Sequence, residues 1–434
     1  MPPHANAPGV VLLRNTFDNI GDMAMLESEI GAIKRLIPEA RLTVLSDDRR
    51  LAEKYPELTW GESDVVLSQP VSGFSRSILR QMLAGAPRWA NQMAGRAVAP
   101  GVGRYQARSI QRFLEAARKW AGAKHEAPLT APERRLLKNL KNADLVIGGG
   151  SLIGHIPMIA DPRRAVYQAL RLLGVRYVLN GLSLTDDWGD ETYSGAALVV
   201  VRDGRVSARR AIECGVTGER LLTNIDPAFR TPLTDGGDGI DRLQGLGLEP
   251  SRFVAANLRQ GEFGDMAIDR MAVDAVETVK ACGAKAVLLF GMQSFRDNND
   301  KDLLEKLRER LRPHVSVAMW PVDAEYGRLV GVLAQARTVM SCRYHGALFA
   351  LAAGVPAVGV IPQAAYDIKM RGLFAWYGLE RFCYPLGEAI PQAVRSELAT
   401  GHGALRQRIR VRNDELVREA NRPYERIRGL LGLT

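Results

Sequence analysis

Arg343 and His345 stand at the head of SCRYHGALFALAAGVPAVGV, a stretch from Ser341 to Val360 that carries no other charge. An apolar strand pattern, TVMSCR, runs into it, and a helix is expected from about Gly346 to Ala353, stopped by Gly354 and Pro356. A helix N-terminus offers unpaired N–H groups and the positive end of the helix dipole, which together favour an anion. An arginine at that point adds a bidentate partner for phosphate or carboxylate. A histidine adds a group that exchanges a proton near neutral pH. Arg343 and His345, with Tyr344 between them, are therefore expected to bind an anion and carry a proton; a satisfied core histidine is the rival interpretation.

Other strand ends carry chemistry of the same kind. In LLRNTFDNIGDMAMLESEIG, residues Asn15, Asn19, Gly21 and Asp22 fill the turn between a strand and a helix. Asp22 is placed to cap that helix near Met25 or to act as a base, and the Asn-rich loop suits a polyhydroxyl ligand. DLVIGGGSLIGH sets Gly148, Gly149, Gly150 and Ser151 after another strand. Three glycines let a ligand or a partner domain approach the backbone, although the spacing matches neither a dinucleotide fingerprint nor a P-loop. His155, alone, suggests a structural role. ALVVVRDGRVSARRAIECG ends a strand on Arg202 and Asp203, with Ser207 opening a helix; a surface ion pair and a capping serine would also explain it. Asp226 precedes Pro227 in NIDPAF, a pattern that ordinarily marks a turn. FVAANLRQ offers Arg259, and AAYDIKMRG offers Lys369 as a further cation.

The elements that must position these residues alternate along the chain. Strands are expected at Val10–Leu13, Leu42–Leu45, Val65–Leu67, Leu145–Ile147, Tyr177–Leu179 and Leu198–Val201, and again in FVAANLR, KAVLLFG, VSVAMW, RTVMSCR and PAVGVI, with helical patterns between. Uniformly apolar strands alternating with helices imply parallel sheets covered on both faces. TDGGDGIDRLQGLGLEPSR suggests a linker over 234–251. The expectation is an α/β chain of two Rossmann-like domains facing a cleft, an N-terminal one over 1–233 and a C-terminal one over 252–403, closed by a charged helix over 404–434. In such sheets ligands bind outside the carboxyl ends of the strands, where every candidate above lies.

Charge is concentrated in one segment. The chain has 434 residues and a formal charge of +10. Between Pro70 and Lys141 fourteen Arg or Lys stand against three Glu, a net +11, so the remainder is close to neutral. That segment is expected to be a basic helical insertion, in which arginines alternate with Ile, Leu, Met, Trp and Phe at helical spacing. Over 74–124 it suits an anionic membrane surface or, equally, packing on its own domain. No nucleic-acid motif accompanies the charge, so no nucleic-acid partner is expected. No apolar run approaches the ~20 residues of a membrane span. The first residues lack a basic region followed by an apolar one, and Cys214, Cys282, Cys342 and Cys383 lack metal-ligand spacing. A cytoplasmic protein with reduced thiols and no metal is expected, possible attachment being peripheral at the inner face of the membrane.

Taken together, NTFDNIGDMAML, GGGSLIGH, VVVRDGRVS with NIDPAF, NLRQ, and SCRYHGALFALAAGVPAVGV followed by YDIK resemble the polysaccharide pyruvyl transferases, in that family's order, from about residue 10 to 375. Tyr344 stands where the family often has leucine, and the basic insertion has no counterpart. The resemblance implies a GT-B-like fold and transfer of the enolpyruvyl group of phosphoenolpyruvate to a sugar as a pyruvate ketal. It associates Arg343 and His345 with the donor and, more loosely, Arg202 and Lys369. Phosphoenolpyruvate needs several cations, which Arg343, Arg202, Arg259 and Lys369 supply. His345 is then the expected acid and Asp22 the acceptor of the hydroxyl proton, with Asn15, Asn19, Gly149, Gly150 and Ser151 on the acceptor side. No cofactor is required beyond phosphoenolpyruvate as co-substrate. The acceptor would be a nucleotide-linked sugar or a lipid-linked oligosaccharide of a cell-surface polysaccharide. The rivals are a GT-B glycosyltransferase using a nucleotide sugar, although HGALFALAAGVPAV lacks the carboxylates retaining members place there, and a non-catalytic sugar-binding protein.

Overall fold

Strands such as VVLL and AVLLF have no polar alternation and must be covered on both sides. The computed structural model covers them so; it describes residues 7–14, 19–46, 49–61, 111–122, 129, 131–149, 162–184, 190–230, 236–259, 265–295, 298–320 and 326–433. The first sheet contains β1 (Gly9–Arg14), β2 (Arg41–Ser46), β3 (Thr59–Gly61), β4 (Leu145–Gly149), β5 (Tyr177–Leu182), β6 (Leu198–Val201) and β7 (Leu221–Thr223). Its order is β3-β2-β1-β4-β5-β6-β7, parallel throughout. The second contains β8 (Phe253–Asn257), β9 (Ala286–Phe290), β12 (Ser316–Trp320), β13 (Thr338–Ser341), β14 (Ala357–Ile361) and β15 (Cys383–Pro385), in the order β12-β9-β8-β13-β14-β15 and also parallel. A small hairpin, β10 (Ser294–Phe295) and β11 (Asn298–Asn299), follows β9. Both sheets reverse direction at one point, between β1 and β4 and between β8 and β13. Crevices for ligands form at such reversals.

The expected strand at Val65–Leu67 lies outside the described residues. β3, β7 and β15 were not foreseen, since three residues are too few to show a pattern. Inside the expected 234–251 linker, Gly236–Gly245 is a helix. There Gly239 lies so close to the backbone of Gly331 that a Cβ would stand 3.0 Å from its carbonyl oxygen. The expected C-terminal helix is two helices, His402–Glu419 and Arg422–Leu430, with Pro423 in the first turn of the second. The former adds Leu405, Ile409 and Leu416 to the core of the second sheet. The latter crosses over: Tyr424 and Ile427 share a core with Val10, Leu12 and Ile30 of the N-terminal half.

The basic insertion is described only in part. Residues 111–121 are helical and bury Phe113, Ala116, Ala117 and Trp120 in one core with Leu136, Leu137 and Leu140. That stretch turns its apolar face into its own domain and not toward a membrane, because a packed core already covers it; residues 74–110 lie outside the described residues. Among the described residues no helix is long and apolar enough to cross a membrane.

The largest core runs across the seam between the halves. Ile20, Met23 and Met25 from the first helix (Ile20–Leu36), and Ile225, Ala228 and Phe229 after β7, pack with the residues of the second sheet. The reversal points of the two sheets are thus pressed together by burial of apolar surface.

Candidate functional site

On the second sheet, the ends of β8 and β13 are neighbours in register, Ser341 opposite Asn257. Asn257 Oδ1 accepts from the Cys342 amide (2.9 Å) and the Ser341 hydroxyl (3.0 Å), and that hydroxyl lies 2.7 Å from the Arg343 carbonyl. This small network turns the chain from β13 into the helix Tyr344–Ala352, with Arg343 as N-cap and no side chain capping its first turn. Gly346 is needed there: a Cβ would stand 2.5 Å from Ser341 Oγ. Ser341 and Gly346 shape the motif; Arg343, Tyr344 and His345 project from it.

Arg343 is buried and already paired. Its guanidinium donates to Gln293 Oε1 (2.9 Å) and to Asp300 Oδ1, while Asp300 Oδ2 accepts from the Met292 amide (3.0 Å). Only Nε of Arg343 is buried without a partner. Gln293 also bridges to Asn19, and the Ile20 amide donates to the Met292 carbonyl (3.0 Å), so this pair sits against the start of the first helix. Neither Gln293 nor Asp300 was foreseen; DNND looks like any polar turn.

Arg202, expected at a strand end, is fully buried on the N-terminal side of the seam. It donates to Asp226 Oδ2 (2.5 Å) and to Ser183 Oγ (2.8 and 3.1 Å), and its guanidinium lies 4.5 Å from the centroid of the Tyr344 ring. It is no surface ion pair. Asp203 caps the next helix through the Val206 and Ser207 amides (2.8 and 2.9 Å), and Ser207 Oγ accepts from the Leu184 amide (2.8 Å), so these two are structural.

Asp226, expected only to mark a turn, does more than that. Its Oδ1 accepts from the Ala228 amide (2.8 Å), a local turn that the Asp-Pro pair announces; its Oδ2 serves Arg202 and lies 3.7 Å from Nε2 of His345. Burial opposes ionisation of Asp226, but the Arg202 guanidinium and the His345 ring outweigh it and hold the carboxyl well below the usual carboxylate range. His345 is buried, its Nε2 sealed and without a hydrogen bond. Its ring meets Tyr344 edge-on at 5.1 Å and lies against Gly21, where a Cβ would overlap it. Burial drives the Tyr344 phenol well above its ordinary value, so its hydroxyl stays protonated.

The first helix is capped by Asn19 and not by Asp22: Asn19 Oδ1 accepts from the Gly21 (2.9 Å) and Asp22 (3.4 Å) amides. The expected cap is shifted by three residues because Ile20 is already helical. Asp22 is buried in that first turn and its charge is felt at Arg202.

Arg259, beyond β8, behaves differently from the other arginines. Its guanidinium lies 4.2 Å from the centroid of Tyr366, and both Nε and Nη1 are buried without a partner among the described residues. Lys369 Nζ is 5.3 Å from the same ring. Tyr366 and Lys369 are one turn apart on the helix Ala364–Ala375 that follows β14. The backbone of Arg259 reaches Cys342, whose thiol burial pushes up to about 12, an inert group. Arg259 and Arg343 therefore flank one cysteine.

Where the acceptor was expected, Gly149 has φ +122° and leaves no room for a Cβ against the backbone of Asn180. The glycines here let β4 pack on β5 and on Tyr167. Asn15, Gly150, Ser151 and His155 lie outside the described residues. Arg14, at the end of β1, is buried with Glu29 (2.6 and 2.7 Å), and Asn180 Nδ2 donates to the same carboxylate (2.7 Å).

A family model described as polysaccharide pyruvyl transferase matches residues 19–363. No curated protein sequence matches the chain. Among solved structures, the UDP-GlcNAc 2-epimerase of Neisseria meningitidis bound to UDP-GlcNAc is 10% identical, with a TM-score of 0.56 over 96% of this chain and 98% of that one. The S. aureus MnaA–UDP co-structure is 11% identical, with a TM-score of 0.53 over 93% and 90%. A ugt transferase of Siraitia grosvenorii in complex with UDP is 12% identical, with a TM-score of 0.51 over 96% and 99%. At such identities these show the fold, which is GT-B-like. The segments that build the seam, from Asn19 through Asp226 to the Tyr344 helix, all fall inside the matched residues, and the chain belongs to the polysaccharide pyruvyl transferase family.

Proposed function

We propose that the protein transfers the enolpyruvyl group of phosphoenolpyruvate to a sugar of a cell-surface polysaccharide, or of its lipid-linked precursor, closing a pyruvate ketal over two hydroxyls. The observation that carries this is Arg259. Two buried N–H groups, unpaired among the described residues, on a guanidinium 4.2 Å from the centroid of an aromatic ring need an acceptor, and a small anion with phosphate or carboxylate oxygens supplies one. Lys369 beside the same ring adds charge of the same sign.

The chemistry balances with the groups at hand. His345 gives a proton to the methylene carbon of the donor, which becomes the methyl group. One sugar hydroxyl attacks the adjacent carbon, and Asp22 in the facing helix turn takes its proton. A second hydroxyl then attacks that carbon, giving its proton back to His345, and displaces the phosphate; the donor C–O bond breaks, the proton held by Asp22 leaves with the phosphate, and the cyclic ketal and inorganic phosphate remain. Arg202 and Arg343, each neutralised by its own carboxylate, shape the seam without being the main ligands.

Calorimetry with phosphoenolpyruvate and with UDP-sugars, followed by phosphate release in the presence of candidate acceptors, tests the proposal. Binding of phosphoenolpyruvate that is lost in Arg259→Met supports it. Tight binding of a UDP-sugar with none of phosphoenolpyruvate would replace it with a nucleotide-sugar glycosyltransferase. The basic residues of 74–110, which lie outside the described residues, favour an acceptor at an anionic membrane surface; flotation with anionic liposomes that is unchanged when 74–110 are deleted would remove that part alone.

A further inference from the structure

His345 belongs to one domain and Asp226 to the other. Oδ2 of Asp226 faces Nε2 of the imidazole at 3.7 Å, nothing else among the described residues bonds that nitrogen, and it is sealed from solvent. The gap is too long for a hydrogen bond, yet catalytic contacts in ligand-free enzymes are often long and tighten on binding. A shift of under about an ångström at the seam would close this one. The carboxylate is fixed on its other sides, by Arg202 on Oδ2 and the Ala228 amide on Oδ1. Gly21 fixes the opposite edge of the ring, with Nδ1 the nearest ring atom to the position a Cβ would take.

We infer that Asp226 is the positioning residue of His345: set by Arg202, it holds the proton on Nε2 across the domain seam and leaves Nδ1, on the Gly21 side, to exchange protons with the reactants. Arg202 then acts as the counter-charge that keeps Asp226 a carboxylate, and the donor's anionic groups go elsewhere. A carboxylate that orients an imidazole selects its tautomer and favours the imidazolium that forms during reaction. Because the two groups come from different domains, the pair is complete only when the seam is closed. The inference rests on the pyruvyl-transfer proposal solely for the work His345 does; the pairing itself stands on the geometry.

The test uses the full chain labelled with ¹⁵N-histidine. The His345 signals, assigned by their loss in His345→Gln, show at alkaline pH which ring nitrogen carries the proton. The Nε2–H form is expected in the wild type, and that preference is lost in Asp226→Asn. A wild-type Nδ1–H form, or an unchanged tautomer in the variant, overturns the inference; should Asp226→Asn fail to fold, the wild-type spectrum decides alone. Where turnover of phosphoenolpyruvate is measurable, Asp226→Asn lowers kcat on the order of 10²-fold with the donor KM little changed. In a His345→Gln background the same substitution costs no more than about threefold, because the two residues act as a unit. A loss that multiplies in full in both backgrounds would mean a merely structural carboxylate. Absence of any turnover would count against the donor assignment and leave the tautomer result standing.

Discussion

The two sides of the seam treat buried charge in opposite ways. On the N-terminal side each buried arginine described has a carboxylate of its own, Arg14 with Glu29 and Arg202 with Asp226. On the C-terminal side Arg343 follows the same rule with Asp300, but Arg259 stands on Tyr366 with two buried N–H groups unmet. A paired buried arginine is furniture: its charge is cancelled locally and its geometry fixed. An unpaired one is unfinished until something arrives. Among the described residues the difference separates three arginines with a carboxylate from one without, and it is the latter that the proposed function assigns to the donor, although arginine is the same letter in all four places.

Removing the partner of a paired arginine should have the largest effect. Asp300→Ala leaves Arg343 buried without its carboxylate, and unfolding in urea should show a loss of about 3–5 kcal/mol. If stability barely moves, the paired class is not structural and the comparison fails. Next comes the seam itself. Gly21→Ala drives a methyl group into the His345 ring; displacement of a catalytic group by an ångström costs about 10²-fold in kcat, with a melting temperature lowered only modestly.

Arg259→Met tests the other class. Since no carboxylate among the described residues pairs with Arg259, stability should hold, while donor affinity falls by about 10- to 100-fold, the worth of charge-assisted hydrogen bonds. Calorimetry on the folded variant reads this, and equal donor affinity would move the ligand away from Arg259. The smallest effect sets a scale for a buried titrating group away from the seam. His402 Nε2 lies 2.7 Å from the Arg337 carbonyl, and burial lowers its pKa below the ordinary 6.5. Below 6.5 the unfolded chain takes up the proton first, so this contribution is present above that pH and lost as pH falls through the lower folded-state value. His402→Gln should flatten the part of the stability curve that lies below about pH 6.5.

Much of the architecture was legible because burial on both faces of a parallel sheet leaves an apolar run that any reader of the sequence finds. Eleven expected strands include those on either side of both reversal points, and the candidates drawn from their ends, Arg202, Arg259, Arg343 and His345, lie at strand ends as expected. The short edge strands were hidden, since three residues carry no periodicity. So was the helix Gly236–Gly245, whose glycines look like a linker until Gly331 supplies a partner. Asp226 was discounted for a correct local reason: Asp-Pro does make a turn, through Oδ1 and the Ala228 amide. The second oxygen is what matters, and local sequence says nothing about it.

The chain by itself determined that two Rossmann-like halves would form, and that arginine, histidine and aspartate would gather where their strands end. Residue type and period are enough for that, because they report what a strand or helix buries. Only the tertiary structure decided which cation is cancelled and which is open, and which carboxylate faces the histidine. Those are matters of what lies within a few ångströms, and Asp226 and His345 are brought within 3.7 Å by packing between domains, where sequence separation carries no information.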